Sequence, residues 1–333
     1  MLRFTSPKVI YLTCMKKVMY ILILIVGLSN LMRSQEEILT IKTATGSIEG
    51  TLLLPEIKVN VPLVIMIAGS GPTDRNGNQS ELENNSLKML AEGLAKNNIA
   101  SLRYDKRGVG QSEDAGKDEM ELRFDDLVND ASQWVDLMAK DKRFNSITIA
   151  GHSEGSLIGM LVAGKSKKVN AYVSIAGPGR PADEVIKEQL EIAPDGVKAK
   201  MFPMIDRIKK GDTINDVPRI YYAILRPSVQ PYMHSWFKYN PAREIKKLKI
   251  PVLIVQGTTD IQVKVKDAEL LANAQPKAQK AIITNMNHVL KTVESTEREA
   301  QKPSYSDGSI PINEEVVRAI SNFVLNAVGT LKK

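Results

Sequence analysis

The alternation of strand-like and helix-like segments after residue 35 constrains the fold of this 333-residue chain more than any other feature. Residues 62–68 (PLVIMIA) form a continuous apolar run, which is typical of a strand buried on both faces of a sheet, and residues 251–256 (PVLIVQ) indicate another buried strand. Amphipathic segments separate such runs, the longest over 124–140. This pattern predicts an α/β protein with a mostly parallel, doubly wound sheet of about eight strands, forming one domain over 35–333.

The remaining elements follow from the same patterns. Further strands are predicted over 38–54 (an antiparallel hairpin), 99–104, 146–150, 169–176 and 278–284. Further helices are predicted over 87–97, 154–163, 265–273 and 312–328. Between residues 177 and 240, helical patterns continue without a buried strand, which predicts a helical cap inserted between two strands. The alternative is a separate small domain, but so short a segment with few large apolar side chains makes a marginal one.

The first 34 residues differ in composition from the rest of the chain. They hold five basic residues and no acidic ones, and Lys16-Lys17 precede an apolar run of eleven residues over 18–28. A bilayer span needs about 20 apolar residues, so this run fits the apolar part of a secretory signal better. We therefore expect a signal peptide over 1–34, an exported protein (periplasmic or extracellular) and no stable membrane span after cleavage. The alternatives are an uncleaved anchor and a buried helix.

The charge distribution and the cysteine count exclude several classes of function. Removing those five residues from the 45 basic ones leaves 40 against 38 acidic residues, a net charge of +2. So small an excess gives no general attraction for nucleic acid.

The single cysteine, Cys14, lies within the predicted signal, which excludes disulfides, cysteine catalysis and zinc–thiolate sites from the mature chain. We expect no metal and no cofactor, and the sequence does not indicate an oligomeric state.

A G-x-S-x-G pattern occurs at Gly151-His152-Ser153-Glu154-Gly155. The pattern alone is weak, but a predicted strand precedes it and a predicted helix follows, as a nucleophile elbow requires. The sharp turn projects the serine hydroxyl above the sheet, and the two glycines let strand and helix approach closely. Ser153 is the predicted nucleophile.

A serine hydroxyl needs an adjacent base, and the chain has three histidines. His152 neighbours the serine and is expected to point elsewhere, and His234 lies in the predicted cap. His288 follows the strand predicted over 278–284, at the edge of the sheet where catalytic groups collect, and is the predicted base. Asp260 follows the strand over 251–256 and is the predicted orienting acid, with Asp267 as its nearest rival.

The tetrahedral intermediate needs two N–H donors for its oxyanion. The backbone N–H of Glu154, next after the nucleophile, is one expected donor. The other is expected from the glycine-rich loop after the first buried strand, with Ser70 as the first choice and Gly71 as the alternative.

These residues together resemble the α/β-hydrolase superfamily of serine hydrolases, from about residue 38 to the end. Residues 103–112 (RYDKRGVGQS) resemble the D-x-R-G-x-G-x-S loop of many members, which implies an architectural role for Asp105 and Arg107. Residues 69–77 (GSGPTDRNG) resemble bacterial esterases of the serine-aminopeptidase-like branch, although Ala68 replaces the histidine of many lipases. The resemblance implies hydrolysis of short-chain carboxylic esters without a cofactor. For Asp74 and Arg75, structural and substrate-binding roles stay open.

Three functions follow in order of preference. The first is a carboxylic ester hydrolase that forms an acyl-serine on a small-molecule ester, and the second is an amide or peptide hydrolase with the same triad. The third is a non-catalytic binding protein on a hydrolase fold. The second half of the cap is rich in aromatic residues, and among them we expect Trp236, with His234 beside it, to contact the substrate.

Overall fold

The computed structural model describes residues 35–331, and its side chains as far as residue 327. The predicted signal peptide over 1–34 lies outside the described residues. Within the described range, no helix combines the length and the apolar character needed to cross a membrane.

A single sheet of eight strands forms the centre of the molecule, in the order β1-β2-β4-β3-β5-β6-β7-β8. The first two strands form an antiparallel hairpin, β2 pairs with β4 antiparallel, and all later pairs are parallel. The predicted fold class is therefore confirmed. The strands are β1 Gln35–Lys42, β2 Ser47–Leu54, β3 Val61–Ile67, β4 Ala100–Tyr104, β5 Phe144–His152, β6 Ala171–Ile175, β7 Val252–Gly257 and β8 Gln279–Ile283.

Helices cover both faces of the sheet, and β3 shows why its sequence is apolar throughout. Leu63 and Ile65 pack into one core with α2 (Phe124–Met138), α3 (Glu154–Lys165) and α9 (Val265–Ala274). Val64 and Met66 pack into the other core with α1 (Ser86–Lys96) and α11 (Glu314–Leu331). Side chains alternate between the two faces of a strand, so a doubly covered strand must be apolar at every position.

Between β6 and β7 the chain forms five helices without a strand. They are α4 Ala182–Gln189, α5 Asp195–Lys210, α6 Tyr222–Leu225, α7 Gln230–Phe237 and α8 Pro241–Ile245. This helical insertion has a small apolar core of its own, with Met201, Ile205 and Phe237 among its buried side chains. Ile245 of α8 already belongs to the main core, so the chain returns to the sheet there.

One helix, α10 (Arg298–Ser306), has no counterpart in the sequence-based prediction. Its sequence REAQKPSYS is polar and contains Pro303, so it lacks the apolar periodicity that indicates a helix. Its buried side chains are Gln301 and Ser304, and both act through hydrogen bonds.

Candidate active site

The G-x-S-x-G segment forms the turn between β5 and α3. Ser153 has φ 54° and ψ −120°, a strained conformation for a residue with a side chain. Both glycines are needed for steric reasons. A Cβ on Gly151 would lie 2.1 Å from the carbonyl oxygen of Gly155, and a Cβ on Gly155 would lie 2.3 Å from that of Ile67. The local sequence therefore forces strand, turn and helix into contact, with Ser153 at the apex.

His288 and Asp260 meet at the same edge of the sheet. Asp260 follows β7 and His288 follows β8, and Nδ1 of His288 lies 2.8 Å from Oδ2 of Asp260. Both residues are buried. This bond fixes the imidazole with Nε2 as the free nitrogen, the arrangement that a base needs. The rival carboxylate, Asp267, accepts hydrogen bonds from Gly179 and Arg180 instead.

Three further groups hold Asp260 in place. Its Oδ1 accepts the backbone N–H groups of Gln262 and Val263 at 2.8 and 2.9 Å, and its Oδ2 accepts Nε2 of Gln256 at 3.0 Å. These bonds satisfy both oxygens and keep one of them directed at His288.

The unpredicted helix α10 supports both of these loops. Gln301 donates to the carbonyl oxygen of Thr259 at 2.6 Å, next to Asp260. Asn287, next to His288, donates to Oγ of Ser304 at 2.7 Å. The helix thus ties the loop of the acid to the loop of the base through side chains that no apolar pattern reveals.

The nucleophile turn is close to His288, although among the described residues no hydrogen bond joins Oγ of Ser153 to Nε2 of His288. His152, which precedes Ser153, connects the nucleophile turn to His288. Nε2 of His152 lies 2.8 Å from the carbonyl oxygen of His288, and the two ring centroids are 4.8 Å apart. The expectation that His152 points away from the site is therefore wrong. The sequence of the turn could not show this contact, since the partner lies 136 residues away.

The protonation of His152 follows from its position. Its pKa is lowered to about 4, mainly by burial and also by the neighbouring His288, while the hydrogen bond to the His288 carbonyl and the charge of Asp260 oppose the shift. His152 is therefore neutral at pH 7, and its Nε2–H donates to the carbonyl of His288.

The loop of the predicted oxyanion donors begins beside the nucleophile. Gly69 lies directly against the elbow, since a Cβ on it would be 3.2 Å from Cβ of Ser153. Ser70 and Gly71 follow Gly69 and are exposed, and Gly71 has φ +71°. Glu154 is the first residue of α3, where a backbone N–H has no partner within the helix.

A buried lysine, which no sequence pattern indicated, contacts this loop. Nζ of Lys106 donates to the carbonyl oxygens of Gly69 and Gly71, the latter at 2.9 Å, and lies 3.4 Å from Oε2 of Glu154. The other carboxylate oxygen, Oε1, accepts the hydroxyl of Tyr232 from α7 at 2.5 Å. Burial lowers the pKa of Lys106, while Glu154 opposes that shift.

The remaining charged residues of these loops have architectural contacts. Arg75 forms an ion pair with Asp105 at 2.6 Å and with Glu49 at 2.8 Å, and Arg107 pairs with Asp130 at 2.5 Å. Asp74 accepts the backbone N–H groups of Asn76 and Asn78 within its own turn. These contacts favour the structural alternative for Asp74 and Arg75.

A cleft of about 320 Å³ lies beside this network. Its charged lining residues are Glu36, Asp74, Arg75, Lys88, Arg103 and Asp105. Neither Ser153 nor His288 lines it, so it is separate from the candidate active site. Within residues 35–331 no group of histidine, cysteine and acidic side chains has the arrangement of metal ligands.

The two predicted substrate contacts in the cap have packing positions. The Trp236 ring stacks on Phe124 of α2 with centroids 5.8 Å apart and planes inclined by 6°. Nδ1 of His234 lies 3.1 Å from the carbonyl oxygen of Ile208 in α5. Both residues are half-buried, and their contact with a substrate stays a prediction. The cap residue that reaches the nucleophile turn is Tyr232.

Comparisons with known proteins find similarity to hydrolases. The model of the family described as "Serine aminopeptidase, S33" matches residues 83–214. Esterase EstD from Thermotoga maritima is 26% identical over 268 residues, which cover 79% of this chain and 63% of EstD. The chain has the α/β-hydrolase fold. The segment matched by the family model contains Ser153 but ends before Asp260 and His288.

Solved structures show the same fold at low sequence identity. Est1E from Butyrivibrio proteoclasticus with bound ferulic acid has a TM-score of 0.57 at 18% identity, covering 87% of this chain and 99% of its own. The α/β hydrolase GrgF from Penicillium sp. sh18 has a TM-score of 0.59 at 16% identity, covering 89% and 99%.

Proposed function

We propose that this α/β-hydrolase is a carboxylic ester hydrolase that works through an acyl-serine on Ser153. The observation that carries the proposal is the buried His288–Asp260 pair at 2.8 Å beside a strained serine turn. The similarity to proteins named as esterases supports the choice of substrate bond. The ester is expected to be a small molecule.

The proposed reaction uses these side chains in turn. Oγ of Ser153 attacks the ester carbonyl while Nε2 of His288 takes its proton, and Asp260 stabilises the imidazolium that forms. The N–H groups of Ser70 and Glu154 hold the oxyanion. The intermediate collapses when His288 protonates the leaving alcohol, and water then hydrolyses the acyl-serine with His288 as base.

Amide or peptide hydrolysis by the same triad is the second candidate, since the matching family is described as a serine aminopeptidase. An aminopeptidase needs an acidic anchor for the amino terminus of its substrate. Of the cap glutamates, Glu188 is already paired with Arg180, Lys264 and Lys266, and Glu191 with Lys198. Glu184 is exposed. This pairing favours the ester.

Parallel assays separate the two candidates. Purified protein is given a series of p-nitrophenyl esters of graded acyl length and a series of aminoacyl p-nitroanilides. The ester proposal predicts kcat/KM at least about 100-fold higher, roughly 3 kcal/mol in transition-state stabilisation, for the best ester. Preference for the anilides would favour the aminopeptidase. Turnover of neither substrate, together with no labelling by a fluorophosphonate, would favour a non-catalytic binding protein.

We also propose that the protein is exported, on the evidence of Lys16-Lys17 and the apolar run over 18–28. Expressed with its leader in a Gram-negative host, the protein is expected outside the cytoplasm and shorter by roughly 30 residues, the upper end of a typical signal. Mass spectrometry of the product and cell fractionation measure this. A soluble cytoplasmic product that retains Met1 or Met15 would contradict it.

A further inference from the structure

Lys106 is a buried cation placed below the oxyanion loop. It follows β4 and is 4% exposed. Its ammonium has three N–H donors, and three acceptors surround it: the carbonyls of Gly69 and Gly71 and the carboxylate of Glu154. Because all three donors have partners within the protein, Lys106 has none left for a substrate.

The contact with Gly69 controls the direction of the predicted oxyanion donor. The carbonyl of Gly69 and the N–H of Ser70 belong to one peptide unit, and the described residues contain no cis peptide bond. In a planar trans peptide these two groups point in opposite directions. A cation that fixes the carbonyl therefore fixes the N–H. Among residues 35–331 no hydrogen bond uses the N–H of Ser70, so it is available for an oxyanion.

The contact with Glu154 connects the same lysine to the second donor. The backbone N–H of Glu154 is the other predicted oxyanion donor, while its carboxylate contacts Lys106 and Tyr232. Glu154 is 3% exposed, and a buried carboxylate requires such partners. One ammonium thus joins the loop after β3 to the first turn of α3, the two segments that must stay aligned around one substrate oxygen.

We propose that Lys106 is a positioning residue that aligns the Ser70 and Glu154 N–H groups for the oxyanion. This inference rests on the proposed hydrolase function. It predicts that loss of Lys106 weakens the binding of the tetrahedral intermediate more than the binding of the ester, whose carbonyl oxygen carries less charge.

The first test replaces the ammonium with an apolar chain of similar length, Lys106→Met. Rates on the best ester are expressed per active site, counted by fluorophosphonate titration. A donor displaced by about 1 Å lowers the rate by about 10- to 100-fold, so we expect that loss in kcat with KM changed by less than about threefold. If the substitution only unfolds part of the protein, the number of titrated active sites falls, but the rate per active site does not.

The second readout is the inhibition constant of a trifluoromethyl ketone. Oγ of Ser153 bonds to the ketone carbon, the C=O π pair becomes the negative charge on oxygen, and His288 takes the serine proton. The adduct presents the oxyanion in a stable form. Its inhibition constant is expected to rise in Lys106→Met by the same factor as kcat/KM falls.

Lys106→Met leaves the carboxylate of Glu154 without its cation, so a double variant, Lys106→Met with Glu154→Gln, removes both buried charges. The double variant retains the backbone N–H of residue 154. If the single variant does not fold, the same measurements are made on the double variant. The control is Lys209→Met, which removes a lysine from the buried Asp183 within the cap and is expected to retain the wild-type kcat.

The inference is supported if the double variant melts close to the wild type but keeps the loss of kcat and of ketone affinity. It is overturned if wild type hydrolyses esters and the folded Lys106 variants show wild-type kcat and ketone inhibition. Wild-type protein that neither hydrolyses esters nor reacts with the fluorophosphonate contradicts the proposed function, and this inference with it.

Discussion

At the scale of single residues, Asp260 differs from a surface carboxylate in accepting four hydrogen bonds, one of them from His288. Asp260→Asn retains the shape of the side chain but replaces the carboxylate beside Nδ1 of His288 with an amide. The imidazole then loses the partner that fixes its tautomer. We expect kcat to fall by about 10⁴-fold on the best ester.

Asp267→Asn is the matched control, since Asp267 is a buried carboxylate that pairs with Arg180 and was the rival candidate. It is expected to lower stability while kcat per active site is retained. The opposite result, a large loss of kcat in Asp267→Asn and a small one in Asp260→Asn, would reverse the assignment.

His152 predicts a pH dependence of stability. Its pKa is about 4 in the folded protein, below its ordinary value of 6.5, so the unfolded chain binds more protons between these values. The stability that the neutral His152 contributes is fully present above pH 6.5 and is lost as the pH falls towards 4. From pH 7 to pH 4 the loss in free energy of unfolding is about 3 kcal/mol.

His152→Gln places an amide N–H near the position of Nε2 and does not titrate. We expect the free energy of unfolding of this variant, measured with urea, to fall by about 3 kcal/mol less than that of the wild type between pH 7 and pH 4. Equal slopes of stability against pH in the two proteins would show that His152 does not carry the effect.

At the scale of elements, the contact between β3 and α3 depends on Gly155. A Cβ there would lie 2.3 and 2.6 Å from the carbonyl oxygens of Ile67 and Ala68. Gly155→Ala must push the helix away from the strand, so we expect a loss of about 1–3 kcal/mol in stability and a lower kcat.

Gly164 in the same helix is the control, because a Cβ there meets nothing closer than a side-chain carbon of Leu248 at 3.7 Å. Gly164→Ala is expected to be neutral or to stabilise by about 0.5–1 kcal/mol, the usual gain of alanine over glycine in a helix. Thermal unfolding of both variants measures the contrast, and equal melting temperatures would contradict the steric argument.

At the scale of the whole molecule, the sequence predicts what depends on local pattern. The order of the elements followed from apolar periodicity, and Ser153 followed from glycines that only a tight turn requires. Asp260 and His288 followed from their positions after strands, because parallel strands end at one edge of the sheet.

Contacts between distant buried polar groups were not predictable in this way. Lys106 and Glu154 are 48 residues apart, and Tyr232 and Glu154 are 78 residues apart. In the sequence, charged and hydroxyl side chains like these cannot be distinguished from surface residues. Only the folded structure shows that they are buried and in contact. The same holds for α10, whose buried Gln301 and Ser304 are polar. The stacking of Trp236 on Phe124 was not predictable either, since aromatic content does not indicate which ring a side chain contacts.

The central claim is that Ser153 is the nucleophile of an ester hydrolase, and the hydrolysis rate of the Ser153→Ala variant tests it most directly. The variant is compared with the wild type at equal concentrations of folded protein, on the best ester. The predicted result is a rate lower by roughly 10⁴- to 10⁶-fold with unchanged thermal unfolding. Retention of more than about a tenth of the wild-type rate, roughly 1.4 kcal/mol in activation free energy, would contradict the claim.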